Sequence, residues 1–184
     1  MGENADHKTL GSKVLVSGEI AAQSQKFAEG YARFRDVTDR DGALPAWVKA
    51  LFMASAAAVK GHGQLLYKEL KRSKELGLSL NDARGAALTV FISRGEEVYT
   101  KFTSAVNELF NDVIEAEAKA MPEFALDRES CLEYFEGYFG FIPPYVELMA
   151  DDAPRALEGY VLMREFSLAE NLLDAKSVEL LLCT

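Results

Sequence analysis

Apolar residues recur at helical spacing along most of the chain, and no segment shows the strict apolar–polar alternation of a half-buried strand. This pattern predicts an all-α protein. Glycine, proline and aspartate punctuate the pattern, and Ser79 with Asp82 is typical of a helix N-terminus. The predicted helices of the first two thirds of the chain are residues 14–34, 44–59, 62–76, 79–92 and a long helix after Gly95 that ends before Met121-Pro122.

The last third of the chain has shorter predicted helices. One covers residues 128–138 and is followed by a turn at 140–144. A second is started by Asp152-Ala153-Pro154 and holds Leu157 to Phe166, and a third is capped by Asp174. The third ends in an apolar run, Leu180-Leu181-Leu182. Such an ending indicates either burial against a partner or an element that has been cut short.

The helix over 62–76 carries a carboxylate in the middle of its apolar stripe. At 100° per residue, the stripe includes His62, Leu65, Leu66, Glu69, Ser73 and Leu76, whereas the lysines lie on the other side. A lone buried carboxylate is costly, so Glu69 needs a partner. One interpretation is a structural ion pair with Arg84 or Arg94, and the other is a general acid or base in a pocket, with His62 one heptad earlier on the same face.

Charge and composition exclude several classes of function. The formal net charge of −9 disfavours nucleic acid and anionic membrane surfaces as partners. The N-terminal residues lack the apolar segment of a secretory signal, and the two cysteines, Cys131 and Cys183, demand no oxidising compartment. Two histidines are too few for a histidine-rich metal site. We therefore expect a cytoplasmic protein without metal or cofactor.

Residues 44–103 resemble the core repeat of the carboxymuconolactone decarboxylase and alkylhydroperoxidase-D family. The resemblance rests on a proline-led apolar helix from Leu44-Pro45-Ala46-Trp47, a helix that ends in Glu75-Leu76-Gly77-Leu78-Ser79, and a further helix that ends in Arg94-Gly95. A second region, from Tyr138 through Gly140-Phe141-Ile142-Pro143-Pro144 to Cys183, resembles the lead-in to another such repeat. The resemblance implies an alkylhydroperoxidase-D-like helical bundle with a lead-in at 1–40, a core repeat at 41–120 and a partial second repeat at 121–184.

The resemblance also implies where an active site would lie. The peroxidase branch of the family uses Cys-x-x-Cys-x-x-x-His, and alignment on Gly77 places those residues at His62, Leu65 and Glu69, so thiol peroxidase chemistry is not expected. The decarboxylase branch needs no cysteine and keeps histidine where this chain has Glu69. Glu69 and His62 are then the candidate catalytic residues, and Arg94 is the candidate for binding a substrate carboxylate.

Two functions follow as hypotheses. The first is a lyase of aromatic catabolism that decarboxylates or isomerises a small ring-derived acid or lactone by acid/base chemistry. The second is a non-catalytic helical subunit that oligomerises with itself or with a homologous partner, as members of the family usually do.

Overall fold

The chain is helical in both of the segments that the computed structural model describes, residues 22–111 and 125–184, and no strand occurs in them. The expected all-α class is confirmed. Residues 14–21 of the first predicted helix and the predicted helix end near Met121-Pro122 lie outside the described residues. The long helix after Gly95 ends at Phe110, earlier than predicted, because Asn111 adopts a left-handed backbone conformation and caps it. The helices in chain order are α1 Gln25–Asp39, α2 Ala46–Val59, α3 Gly63–Glu75, α4 Leu80–Arg94, α5 Glu96–Phe110, α6 Arg128–Phe139, α7 Pro144–Asp152, α8 Pro154–Arg164, a π-helical turn Glu165–Ala169, and α9 Ala175–Leu182.

Local sequence signals fix most helix boundaries. Ser79 accepts a hydrogen bond from the backbone N–H of Asp82, and Asp174 accepts one from that of Ser177, so both predicted N-caps are confirmed. At the end of α3, the backbone N–H of Gly77 donates to the backbone oxygen of Lys74, and the backbone N–H of Leu78 donates to that of Ser73. This is a Schellman motif, and glycine is required there because its φ is +117°.

Helix α7 was not predicted from the periodicity, which gave only the turn at 140–144. It is nine residues long and begins at Pro144, a residue that is well tolerated in the first helical turn. So short a segment contains too few apolar positions to show a helical period. The π-helical turn after α8 was not predicted either, since nothing in the sequence distinguishes it from continued α-helix.

The buried apolar residues form two clusters. The larger joins α2, α3, α4 and α5 and also includes Leu173, Val178 and Leu181 from the C-terminal segment. The smaller is formed by α6, α7 and α8 around Phe135. The apolar end of the chain therefore has a covering surface within its own chain at Leu181, whereas Leu180 is half-exposed. The domain boundaries at 40 and 120 remain a prediction.

One asparagine forms hydrogen bonds between the C-terminal segment and α4, in addition to the apolar contacts. The Asn171 side-chain amide donates to the backbone oxygens of Gly85 and Ser167 and to the Thr89 hydroxyl, at 3.1, 2.6 and 3.1 Å. Its own oxygen accepts from the backbone N–H of Leu173 at 2.8 Å. These hydrogen bonds require Asn171 and Leu173 to lie close to the backbone of α4, and the absence of a side chain at Gly85 leaves room for them. Among the described residues, no helix is long and apolar enough to cross a membrane.

We predict that Gly85→Ala destabilises the protein by about 1–3 kcal/mol, because its new methyl group would overlap the Asn171 side chain and lie 2.8 Å from the backbone nitrogen of Leu173. Urea unfolding followed by circular dichroism measures the change. The matched control is Gly137→Ala in α6, where no atom lies within 4 Å of the added methyl group. Higher helix propensity should make this control neutral or stabilising by up to about 1 kcal/mol. Equal effects of both substitutions would contradict the role assigned to Gly85.

Candidate functional site

Helix α3 presents two charged side chains and one polar side chain on its buried face. Leu66, Glu69, Leu70, Arg72 and Ser73 are the buried residues of this helix, so the expected carboxylate within the apolar stripe is present. The predicted stripe extends too far at both ends, because His62 precedes the first helical turn and is exposed, and Leu76 is the C-cap and is 39% exposed. The candidate site is therefore limited to the middle turns of α3, residues 66–73, where the inward-facing side chains are buried.

Glu69 has no solvent-exposed surface, and both of its carboxylate oxygens accept charged hydrogen bonds. Arg35 Nη2 donates to Oε1 at 3.0 Å, and Arg72 Nη1 donates to Oε2 at 2.8 Å. Both arginines are themselves only 3% exposed. We expected Arg84 or Arg94 as the partner of Glu69. Glu69 pairs with Arg35 and Arg72 instead, since the end of α1 brings Arg35 to the buried face of α3.

Asp39 supplies the second negative charge of this cluster. Its Oδ1 lies 3.1 Å from Arg35 Nη2 and 2.7 Å from Arg72 Nη2. The angle of the second contact suits charge attraction rather than a hydrogen bond. Two guanidinium groups thus face two carboxylates, and the cluster is formally neutral. Three of these charges are buried, and the side chain of Asp39 is 12% exposed. Burial of charge to this extent is tolerable only in such a balanced and closely paired arrangement.

The surroundings of the cluster are also adapted to it. Met53 Sδ accepts a hydrogen bond from Arg35 Nη1 at 2.9 Å. Burial raises the pKa of the Tyr31 hydroxyl above its usual range; the Arg35 charge opposes this shift, while the carboxylates of Asp39 and Glu69 add to it. Tyr31 therefore stays neutral beside the cluster. The arrangement fastens α1 to α3 and leaves no surface of Glu69 for a substrate to touch.

The other two candidate site residues lie apart from Glu69. His62 is exposed at the N-cap of α3, where its side chain makes no capping hydrogen bond, and one heptad separates it from Glu69 by about 10 Å along the helix axis. Arg94 is exposed at the end of α4, and its Nη2 lies 3.4 Å from the backbone oxygen of Leu182. The structure therefore does not bring the three residues into one constellation.

Sequence reasoning missed Arg35, Arg72 and Asp39. Arg72 had a usable signal, because it lies three residues after Glu69 on the same helix, at a spacing that places side chains side by side. No sequence signal pointed to Arg35 or Asp39, since they lie 34 and 30 residues before Glu69. Only the packing of α1 on the remainder of the bundle reveals that they meet this carboxylate.

A cavity of about 720 Å³ lies on a different side of α3, between its first turns and α5. Lys68 and Lys101 are among its lining residues, and so are Tyr67 and Glu108. Burial, together with the neighbouring Glu108 carboxylate that accepts a hydrogen bond from the hydroxyl, raises the pKa of Tyr67. Glu69, His62 and Arg94 do not line this cavity.

Neither cysteine lies near the position of the peroxidase motif on α3. Cys131 is buried in the cluster around Phe135, and Cys183 is exposed after the last helix. Among the described residues, no group of three or more His, Cys, Asp and Glu side chains is arranged to hold a metal ion.

Comparisons with protein-family models, with curated proteins and with solved structures gave no significant match. The family resemblance therefore rests on the residues quoted for it above.

We predict that Glu69→Gln destabilises the protein by about 3–5 kcal/mol, because it leaves two buried guanidinium groups facing one carboxylate. Urea unfolding followed by circular dichroism is the measurement. The control is Glu97→Gln, which removes the partner of Lys101 in an exposed i,i+4 pair and should leave the unfolding midpoint unchanged. A Glu69→Gln protein as stable as the wild type would show that the cluster does not hold the fold together.

Proposed function

We propose that this chain is a non-catalytic helical subunit that assembles with further copies of itself. The observation that carries the proposal is the state of Glu69, the residue at the position of the family's histidine. Its two oxygens are occupied by Arg35 and Arg72, and none of its surface is exposed. A proton donor or acceptor has to touch the group that reacts, so this carboxylate is suited to fastening helices rather than to chemistry.

The outer face of α1 supports assembly between copies. Phe27, Phe34 and Val37 are 58%, 72% and 75% exposed, and helical geometry places them within about 80° of one another. Large exposed apolar side chains on one stripe mark an interaction surface more often than a solvated face. The same stripe on a second copy is its simplest complement, because pairing about a twofold axis buries both stripes at once.

The charges beside this stripe are balanced, which favours contact between identical chains. Glu29 pairs with Arg33 at 3.1 Å, and Asp36 pairs with Arg40 at 2.7 Å. The chain as a whole carries a net charge of −9, so most of its surface would repel another copy. The face of α1 is a place where two copies meet without that repulsion.

A second candidate function is acid/base chemistry on a small carboxylic acid or lactone, as the family resemblance implies. The cavity between α3 and α5 favours it, because Lys68 and Lys101 offer positive charge to a carboxylate and the Tyr67–Glu108 pair offers a proton donor and acceptor. In this alternative Glu69 supports the fold, and the chemistry belongs to the cavity.

Assembly predicts a particle of at least twice the 20.3 kDa chain mass at tens of micromolar protein. Light scattering coupled to size exclusion measures this mass. Phe34→Glu should return the protein to a monomer, because it places a charge in the centre of the apolar stripe. Thr100→Glu, which places the same charge at an exposed position on α5, should leave the mass unchanged. A monodisperse monomer for the wild-type chain would contradict the proposal.

The catalytic alternative predicts that a carboxylated ring compound or lactone raises the melting temperature of the wild-type protein by mass action. Lys101→Ala should abolish the shift, since it removes a cation of the cavity, whereas Arg94→Ala should preserve it. A thermal-shift screen of aromatic-catabolism acids and lactones provides the measurement. If no such compound changes the melting temperature, the catalytic alternative is contradicted.

A further inference from the structure

Two segments of the chain, 129 residues apart, share a sequence pattern. Glu29-Gly30-Tyr31 is followed four residues later by Arg35, and Glu158-Gly159-Tyr160 is followed four residues later by Arg164. At the same offset, three further positions are identical: Leu44 and Leu173, Ala46 and Ala175, Leu51 and Leu180. The match without any gap indicates an internal repeat.

The structure of the two segments agrees with the repeat. Helix α1 spans 25–39, and the continuous helical segment formed by α8 and the π-helical turn spans 154–169. The next helix begins at Ala46 in one case and at Ala175 in the other, which are equivalent positions. Arg35 and Arg164 therefore occupy the same place in two copies of one structural unit.

The two arginines nevertheless differ in what they contact. Arg35 is bonded to Glu69, which α3 supplies, and to Asp39, four residues further along its own helix. The position equivalent to Asp39 is Leu168, which offers no charge. Within the described residues, no ion pair to Arg164 is formed by a carboxylate.

Arg164 is surrounded by aromatic rings in place of carboxylates. Its guanidinium carbon lies 4.8 Å from the ring centre of Tyr138 and 5.7 Å from those of Phe139 and Tyr160. Its Nη1 is 3.5 Å from the Tyr160 hydroxyl, and its Nε is buried without any hydrogen-bond partner. Arg35 Nε likewise lacks a hydrogen-bond partner, so the two arginines differ in their contacts with carboxylates and not in this donor.

The surface beside Arg164 is apolar and has an acidic surround. Tyr138, Phe139, Phe141 and Tyr145 are each at least 40% exposed. Residues 125–184 contain twelve Asp and Glu against four Lys and Arg, which places nearly all of the net negative charge of the chain in this region. An identical acidic face would be repelled, so the charge favours an apolar partner with a basic outer side.

We propose that the aromatic face of α6–α8 binds an α-helix of the α3 type from a homologous chain, with a carboxylate that pairs with Arg164 as Glu69 pairs with Arg35. Helix α3 shows the required chemistry: an apolar face that carries one glutamate, and an outer side with Lys68, Lys71 and Lys74. This inference rests on the proposed role as an assembly subunit, but it concerns a different surface from the outer face of α1.

A synthetic peptide of residues 60–78 tests this proposal. Its fluorescence anisotropy is titrated with the full chain at physiological salt, beside a peptide with Glu69→Gln. We expect saturable binding of the first peptide and about tenfold weaker binding of the second, because a charge-assisted hydrogen bond to Arg164 is lost. Non-specific attraction predicts the opposite order, since the second peptide is more positive by one charge and the protein is acidic.

Two protein variants locate the binding site. Arg164→Gln should bind both peptides equally, whereas Arg155→Gln, an exposed arginine on the same helix, should preserve the tenfold difference. Circular dichroism shows whether Arg164→Gln is folded, and the comparison of the two peptides on the wild-type chain needs no variant. Absence of saturable binding, or equal or tighter binding of the Glu69→Gln peptide, would overturn the proposal. The particle mass of the same sample tests self-assembly separately.

Discussion

The packing of the helices depends on the buried ion pairs between α1 and α3. Glu69 and Arg72 belong to one helix, and Arg35 and Asp39 belong to another, so neither helix can bury its face without the other. Removing one charge leaves an uncompensated ion in a region of low dielectric, which costs more than the loss of an apolar contact. The position of α1 is therefore specified by electrostatics as well as by packing.

The same helix position that is typical of a catalytic histidine in the resembling family serves here as the centre of that cluster. A group that has to transfer protons needs an open side and a tunable charge, whereas a structural carboxylate needs saturated oxygens and exclusion of water. Glu69 satisfies the second set of requirements. The surroundings of Glu69 are therefore those of a structural contact between two helices.

The sequence pattern shared by residues 29–51 and 158–180 has different contacts in its two places. In the first place, Arg35 pairs with Asp39 of its own helix and with Glu69 of α3. In the second copy, Arg164 contacts aromatic rings, and Leu168 replaces the local acid. The two arginines thus differ in whether carboxylates or aromatic rings surround them. Asn171 and Leu181 fasten the C-terminal segment to the first core.

The sequence by itself determined the helical class, most helix boundaries and the presence of a carboxylate on the buried face of α3. These properties depend on local signals, such as the cap at Ser79, the glycine at 77 and the 3.6-residue period, which act within a few residues. Tertiary structure alone decided which arginines meet Glu69, that Leu181 is buried by its own chain, and that His62 lies apart. Those contacts join residues far apart in sequence, and their geometry arises only when helices pack.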